Sequence, residues 1–207
     1  MQDVKLYPES LMTVNKIGKF LKMSLLAFCL GAFCAGCASY QEIYPRTPSG
    51  VIEEKVLPES KVIQAELKGD YFKDKMSDAL FTRLHDYTKK RKVEMTIPVE
   101  ADIGVKVSGM RFYLGTADQE RELRDVTDVK ILRKDERTVI SAGGWGSYSY
   151  KNICRTRENL WKWMKSHPEY VKKSEPYVVY WNSPYALPIF KRYEIHIEVN
   201  KVKLSEE

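Results

Sequence analysis

Few residues in this chain could do chemistry, and their spacing excludes more than it suggests. The 207 residues contain three histidines, His85, His167 and His196, and no two of them stand at the short helical or strand spacing that builds a metal site. His85 could offer a nitrogen from a helix, or it is a partly exposed histidine on that helix's flank. His167 precedes Pro168 and reads as a residue that satisfies carbonyls at a helix end. His196 shares strand parity with Glu194 and Glu198, opposite Tyr193, Ile195, Ile197 and Val199, so it is expected to point to solvent. Cys154 has no paired base in sequence reach and does not read as a nucleophile. There is no Gly-x-Ser-x-Gly elbow, no His-Glu-x-x-His and no phosphate loop. The glycine-rich run 143–146 reads as a tight turn into a helix, or a bulge. These residues point to a binding role rather than catalysis.

The chemistry at the front of the chain is that of an address. Lys16, Lys19 and Lys22 precede an apolar run over 23–36 that ends in small residues, the layout of a secretory signal. The run is short for a membrane span, which needs roughly 20 residues. Ala35-Gly36-Cys37 is similar to the bacterial lipobox, with Cys34 where that motif usually carries Leu. The expectation is a signal peptide over 1–36, an acylated Cys37 as mature N-terminus, and a lipid-anchored envelope protein. The alternatives are ordinary cleavage near Ala38-Ser39 or an uncleaved anchor. Ala38 follows the cysteine, with no Asp there to suggest inner-membrane retention, so the periplasmic face of the outer membrane is the expected place. Residues 1–11 fit no part of a signal, and Met12 reads as the true start.

Composition is globular, with 43% hydrophobic, 30% charged and 12% aromatic residues, which excludes disordered and fibrous classes. Loss of residues 1–36 removes four lysines and two acidic residues, so the net charge falls from +6 to a mild +4. An exported chain with that charge is not read as a nucleic-acid binder. The basic run 89–92 reads as a solvated helix end. Only Cys154 lies beyond the leader and Cys37, so no internal disulfide is available and the core alone must hold the domain.

The elements that would position any site fall into two similar halves. A tether over 37–50 leads to a domain over 51–200, with a tail over 201–207. Strands are expected at 51–56 and 61–67, then a helix capped by Asp70 with Phe72, Met76, Leu80, Leu84 and Tyr87 on its apolar stripe. Strands at 93–97 and 105–114 follow, the latter with a bulge at Ser108-Gly109 where the apolar parity changes. The second half repeats the plan: strands at 129–132 and 138–142, then a helix carrying Tyr150, Ile153, Leu160, Trp161 and Met164 and stopped by Pro168. Strands at 177–181 and 193–199 close it. Two βαββ units pairing into one antiparallel sheet or barrel, with two helices outside, give an α+β fold.

Three stretches resemble the SOUL/heme-binding protein family. They are Phe81-Thr-Arg-Leu-His-Asp-Tyr followed by Val93-Glu-Met-Thr-Ile-Pro-Val, then Gly109-Met-Arg-Phe-Tyr-Leu, and then Tyr180-Trp-Asn-Ser-Pro-Tyr-Ala-Leu-Pro-Ile-Phe-Lys-Arg-Tyr-Glu-Ile. Tyr193 stands where the family usually has Asn, and residues 51–67 hold no histidine of the kind proposed to bind heme in some members. The resemblance implies a distorted antiparallel barrel and a heme or related tetrapyrrole ligand in a groove beside the first helix. On that helix Lys75, Met76, Leu80, Arg83 and His85 are the pocket candidates, because an apolar stripe flanked by cations suits a flat apolar ring with two propionates. The alternative for the same residues is core packing for Met76 and Leu80 and solvation for Lys75 and Arg83. The same architecture is similar to effector-binding domains of bacterial drug-responsive regulators, which would imply an amphipathic cation instead; a third reading is an envelope interaction module without a ligand. Cys37→Ser is expected to abolish radiolabelled lipid incorporation and release the chain from the membrane fraction; unchanged labelling and fractionation would refute Cys37 as the anchor.

Overall fold

Apolar alternation with a period of two makes the strands, and apolar recurrence at three and four makes the two helices. The computed structural model describes residues 40–202; the leader, Cys37 and residues 203–207 lie outside the described residues. In chain order the elements are β1 (Gln41–Glu42), β2 (Ile52–Leu57), β3 (Ser60–Lys68), α1 (Met76–Arg91), β4 (Thr96–Ile97), β5 (Val99–Asp102), β6 (Val107–Tyr113), β7 (Lys130–Lys134), β8 (Arg137–Trp145), α2 (Tyr150–Lys165), β9 (Tyr170–Lys172), β10 (Tyr177–Tyr180) and β11 (Arg192–Lys201). Strands β2-β8-β11-β10-β5-β6-β3-β7 form one curled antiparallel sheet, with β9 on the end of β11. The fold is the expected α+β arrangement of two βαββ units with two helices, and its antiparallel sheet is curled into a half-barrel. Among the described residues no helix is long and apolar enough to cross a membrane.

Each helix covers the sheet with one apolar stripe. In α1, Leu80, Leu84 and Tyr87 are buried, and Lys89, Lys90 and Arg91 fill the last turn, where positive charge meets the negative end of the helix dipole. Asp70 does not cap this helix. It accepts the Phe72 N–H at 3.0 Å within a preceding turn, and Lys75, in a left-handed conformation at φ 54°, stands at the N-cap. The Asp side chain closed a local turn before the helix could start. In α2, Ser149 caps the first turn by accepting the Asn152 N–H, and Ile153, Leu160 and Met164 are buried. Tyr150 leaves the expected stripe and is exposed.

Two strand expectations change. Only Thr96–Ile97 of the 93–97 stretch is paired, and β5 begins beyond Pro98. No bulge interrupts β6, whose register with β3 runs unbroken from Val107 to Tyr113. The parity shift arises because Val105 precedes the strand and Val107 begins it exposed. Gly109 instead makes room for the Asp102 carboxylate, which pairs with Arg111.

The larger correction concerns the face opposite the helices. His196 and Glu194 do share parity, but both are fully buried. The sheet curls, so its second face becomes an interior lined by Tyr113, Val139, Tyr177, Val179 and Trp181 and covered by Tyr44. The stretch read as a tether therefore works as a strap. Glu194 accepts the Thr47 backbone N–H at 2.6 Å and the Ser141 hydroxyl at 2.9 Å, and lies 3.1 Å from Lys55 and 2.6 Å from His196 Nε2. A second buried carboxylate, Glu100, pairs with Arg137 at 2.8 Å and Arg111 at 3.0 Å and accepts the Tyr113 hydroxyl.

The glycine run divides: Gly146, at φ 103° just after β8, makes the turn towards α2, while Gly143 makes room for the strap. Gly143 and Gly144 lie within β8, and a Cβ on Gly143 would overlap the Pro48 carbonyl, while one on Gly144 would overlap the buried Tyr193 ring. Gly143→Ala is expected to lower unfolding free energy by about 1–3 kcal/mol in urea denaturation; an unchanged midpoint would contradict the strap packing.

The interior carboxylates also set the acid limit of the fold. Burial by itself raises both, but the His196 hydrogen bond and charge, with Lys55 and Thr47, hold Glu194 at about 2. Arg111 and Arg137, with Lys134 and Tyr113, likewise hold Glu100 at about 2. Depressed native values mean that stability is complete above the unfolded value of 4.5 and is lost as pH falls from there towards about 2. The expected loss is roughly 3 kcal/mol per carboxylate, read by urea unfolding across that window. In Glu194→Gln the slope should roughly halve; a wild-type stability flat down to pH 2.5 would refute the pairing.

Candidate functional site

The helix-covered side of the sheet carries a cleft of about 720 Å³, within the range of small-molecule sites. It lies between the N-terminal half of α1, the junction before α2 and the loop after β10. From the sheet it is lined by Met110 and Tyr180, both nearly fully buried, and by Met95 just before β4. Phe81 of α1 and Tyr148 of the α2 junction add aromatic walls, and the Tyr148 and Tyr180 rings are 4.5 Å apart. Lys73, Lys75 and Lys191 line the cleft, with Asp78 the acidic side chain among them.

Tyr148 is what joins this site to the loop. Its hydroxyl accepts the Asn182 backbone N–H at 3.1 Å and lies 3.1 Å from the Arg192 carbonyl, and Asn182 Oδ1 accepts the Arg192 N–H at 2.8 Å. The Lys191 ammonium sits 4.8 Å from the centre of the Tyr148 ring. Burial pushes the phenols of Tyr71, Tyr148 and Tyr180 up, so all three stay neutral hydroxyls at physiological pH. The cleft is thus apolar and aromatic within, with cationic groups along it.

Of the sequence-predicted residues, Lys75 and His85 line the cleft, and the His85 ring stacks on Phe81 at 5.9 Å. Met76 packs against the core, and Leu80 is fully buried in it. Arg83 pairs with Asp128 at 3.2 Å and does not line the cleft. The apolar stripe faces the sheet, so the cleft belongs to the neighbouring helix face that carries Lys75, Asp78, Phe81, Thr82 and His85. Phe81 lies in the first of the three family-like stretches, and Tyr180 and Lys191 in the third; Tyr148 lies outside all three, and no local signal ties it to α1. His167 is at a helix end, as read, with Nδ1 2.8 Å from the Trp163 carbonyl. Among the described residues no three His, Cys, Asp or Glu side chains cluster to hold a metal ion.

A family model described as SOUL heme-binding protein matches residues 35–198, most of the chain. The chain belongs to the SOUL heme-binding protein family. No curated protein sequence matches it. Among solved structures, a hydrolase from Listeria innocua is 13% identical with a TM-score of 0.52, over 78% of this chain and 100% of that one. The C-terminal domain of EcmrR is 13% identical with a TM-score of 0.61, over 73% of this chain and 98% of its own. At such identity these likenesses are of fold alone, so function has to be argued from the side chains of this SOUL member.

Proposed function

We propose that this SOUL-family protein is a lipid-anchored envelope protein that binds heme or a related tetrapyrrole in the cleft beside α1. The observation that carries the reading is the cleft's chemistry: an aromatic and thioether interior with three lysines against one aspartate. A flat apolar ring would lie against Phe81, Tyr148, Tyr180, Met95 and Met110, and its carboxylates would meet Lys73, Lys75 and Lys191. His85 offers the cleft an imidazole. Bound heme would supply a redox-active iron; the residues named here bind the ring, orient it and balance its charge. An amphipathic cation of the kind expected for an effector domain would face the same three lysines, so the lining favours an anionic ring.

The test is a hemin titration of residues 38–207, followed by absorbance. A saturable Soret shift at micromolar protein is expected, weakened about tenfold in Lys75→Glu/Lys191→Glu through loss of charge-assisted contacts. His85→Ala separates ligation from packing: a changed Soret position means an imidazole on iron, and an unchanged one leaves His85 as a wall. An unshifted hemin spectrum with folded protein would sink the reading.

A further inference from the structure

We infer that the loop after β10 is a bilayer-docking face that sets the mouth of the cleft against lipid. The loop exposes a run of large apolar side chains: Tyr185 at 91%, Leu187 at 62%, Ile189 at 59% and Phe190 at 61%, with Trp145 of β8 beside it at 54%. Patches of this kind mark interaction surfaces.

The loop is held in this presentation by bonds to its backbone. Trp145 Nε1 donates to the Ile189 carbonyl at 2.8 Å, Lys191 Nζ to the Pro184 carbonyl at 2.6 Å, and Arg192 Nη1 to the Ile189 carbonyl at 3.1 Å. Pro184 and Pro188 stiffen it further, and 188–190 forms a 3₁₀ turn. Because the backbone bonds are made inward, the side chains of Leu187, Ile189 and Phe190 stay outward and unpartnered.

The surrounding chemistry selects lipid as the partner. Aliphatic and Phe side chains project, Trp145 and Tyr185 flank them, and Lys191 and Arg192 stand at the base, Arg192 5.8 Å from the Trp145 ring. Exposed apolar side chains with a Trp, a Tyr and adjoining cations are the combination found at a membrane interface carrying anionic headgroups. The described chain begins at Tyr40, which lines the same cleft as Tyr185. Cys37 stands three residues upstream, and three residues span at most about 10 Å. An anchor there brings this edge of the cleft to the bilayer, and an apolar ring then passes between cleft and membrane without crossing water. The inference rests on the anchor reading proposed above.

The test uses full-length protein processed in its host cell, incorporated into vesicles of phosphatidylcholine and phosphatidylglycerol with brominated acyl chains. Trp145 emission is taken as the difference between wild type and Trp145→Phe. Loss of that emission in brominated vesicles is expected, with recovery in Leu187→Ser/Ile189→Ser/Phe190→Ser, whose circular dichroism and lipid labelling should match wild type. Unquenched Trp145 in labelled protein overturns the docking face and leaves the anchor standing, as does dimerisation through the loop without quenching. Absent labelling overturns the anchor instead, and flotation of the unlipidated chain with the same vesicles then decides the face. Flotation lost in the triple variant upholds it; no flotation overturns it.

Discussion

The architecture depends on a carboxylate that has no water to face. Glu194, fully buried, is satisfied by Thr47 of the strap, Lys55 of β2, Ser141 of β8 and its strand neighbour His196. An unpaired charge in that position would cost several kcal/mol, so the four partners must arrive together. Their arrival fixes where the N-terminal segment lies across the curled sheet. Glu100 plays the same part between β5, β6 and β8 through Arg111 and Arg137. Buried ion pairs of this kind add little net stability over an apolar core, but the removal of one partner strands the other.

With the interior face filled by paired charge and aromatic rings, the other parity of every strand is free to meet the helices. Ile63, Ala65, Met110, Phe112, Ile140, Val178 and Ile195 take that side and form one continuous core with Leu80, Leu84, Ile153 and Leu160. The cleft is the place where this core is left open. Helix α1 reaches the sheet with Leu80 and Leu84, while its neighbouring face, with Phe81 and His85, lines the cleft shared with Tyr148 and the loop after β10. A site made this way draws its aromatic floor from the sheet and its cations from two separate segments. The same architecture occurs in proteins with only 13% identity, so the fold by itself does not specify a ligand.

The loop that borders the cleft links the site to its surroundings. Tyr148 ties it to the α2 junction, and Trp145 ties its far end to β8, so its backbone is fixed while its apolar tips are exposed. Two prolines and three side-chain bonds to its carbonyls replace the regular ladder it lacks.

The sequence by itself determined the family, the order of strands and helices, and the parity of residues along most strands. These rest on local periodicity, which neighbours in the chain express directly. It also pointed to the first helix, and to Lys75 and His85 on it. The destination of each face was decided only by the tertiary structure. Alternation placed His196 with Glu194, but whether that side meets water or an interior depends on how far the sheet curls and on Tyr44 and Thr47 arriving from some 150 residues away in sequence. The same holds for Gly143 and Gly144, whose need for space comes from Pro48 and Tyr193, and for Leu80 and Arg83, which the helix turns away from the cleft. A period reports which residues stand together on a face; only packing of distant segments decides what that face touches.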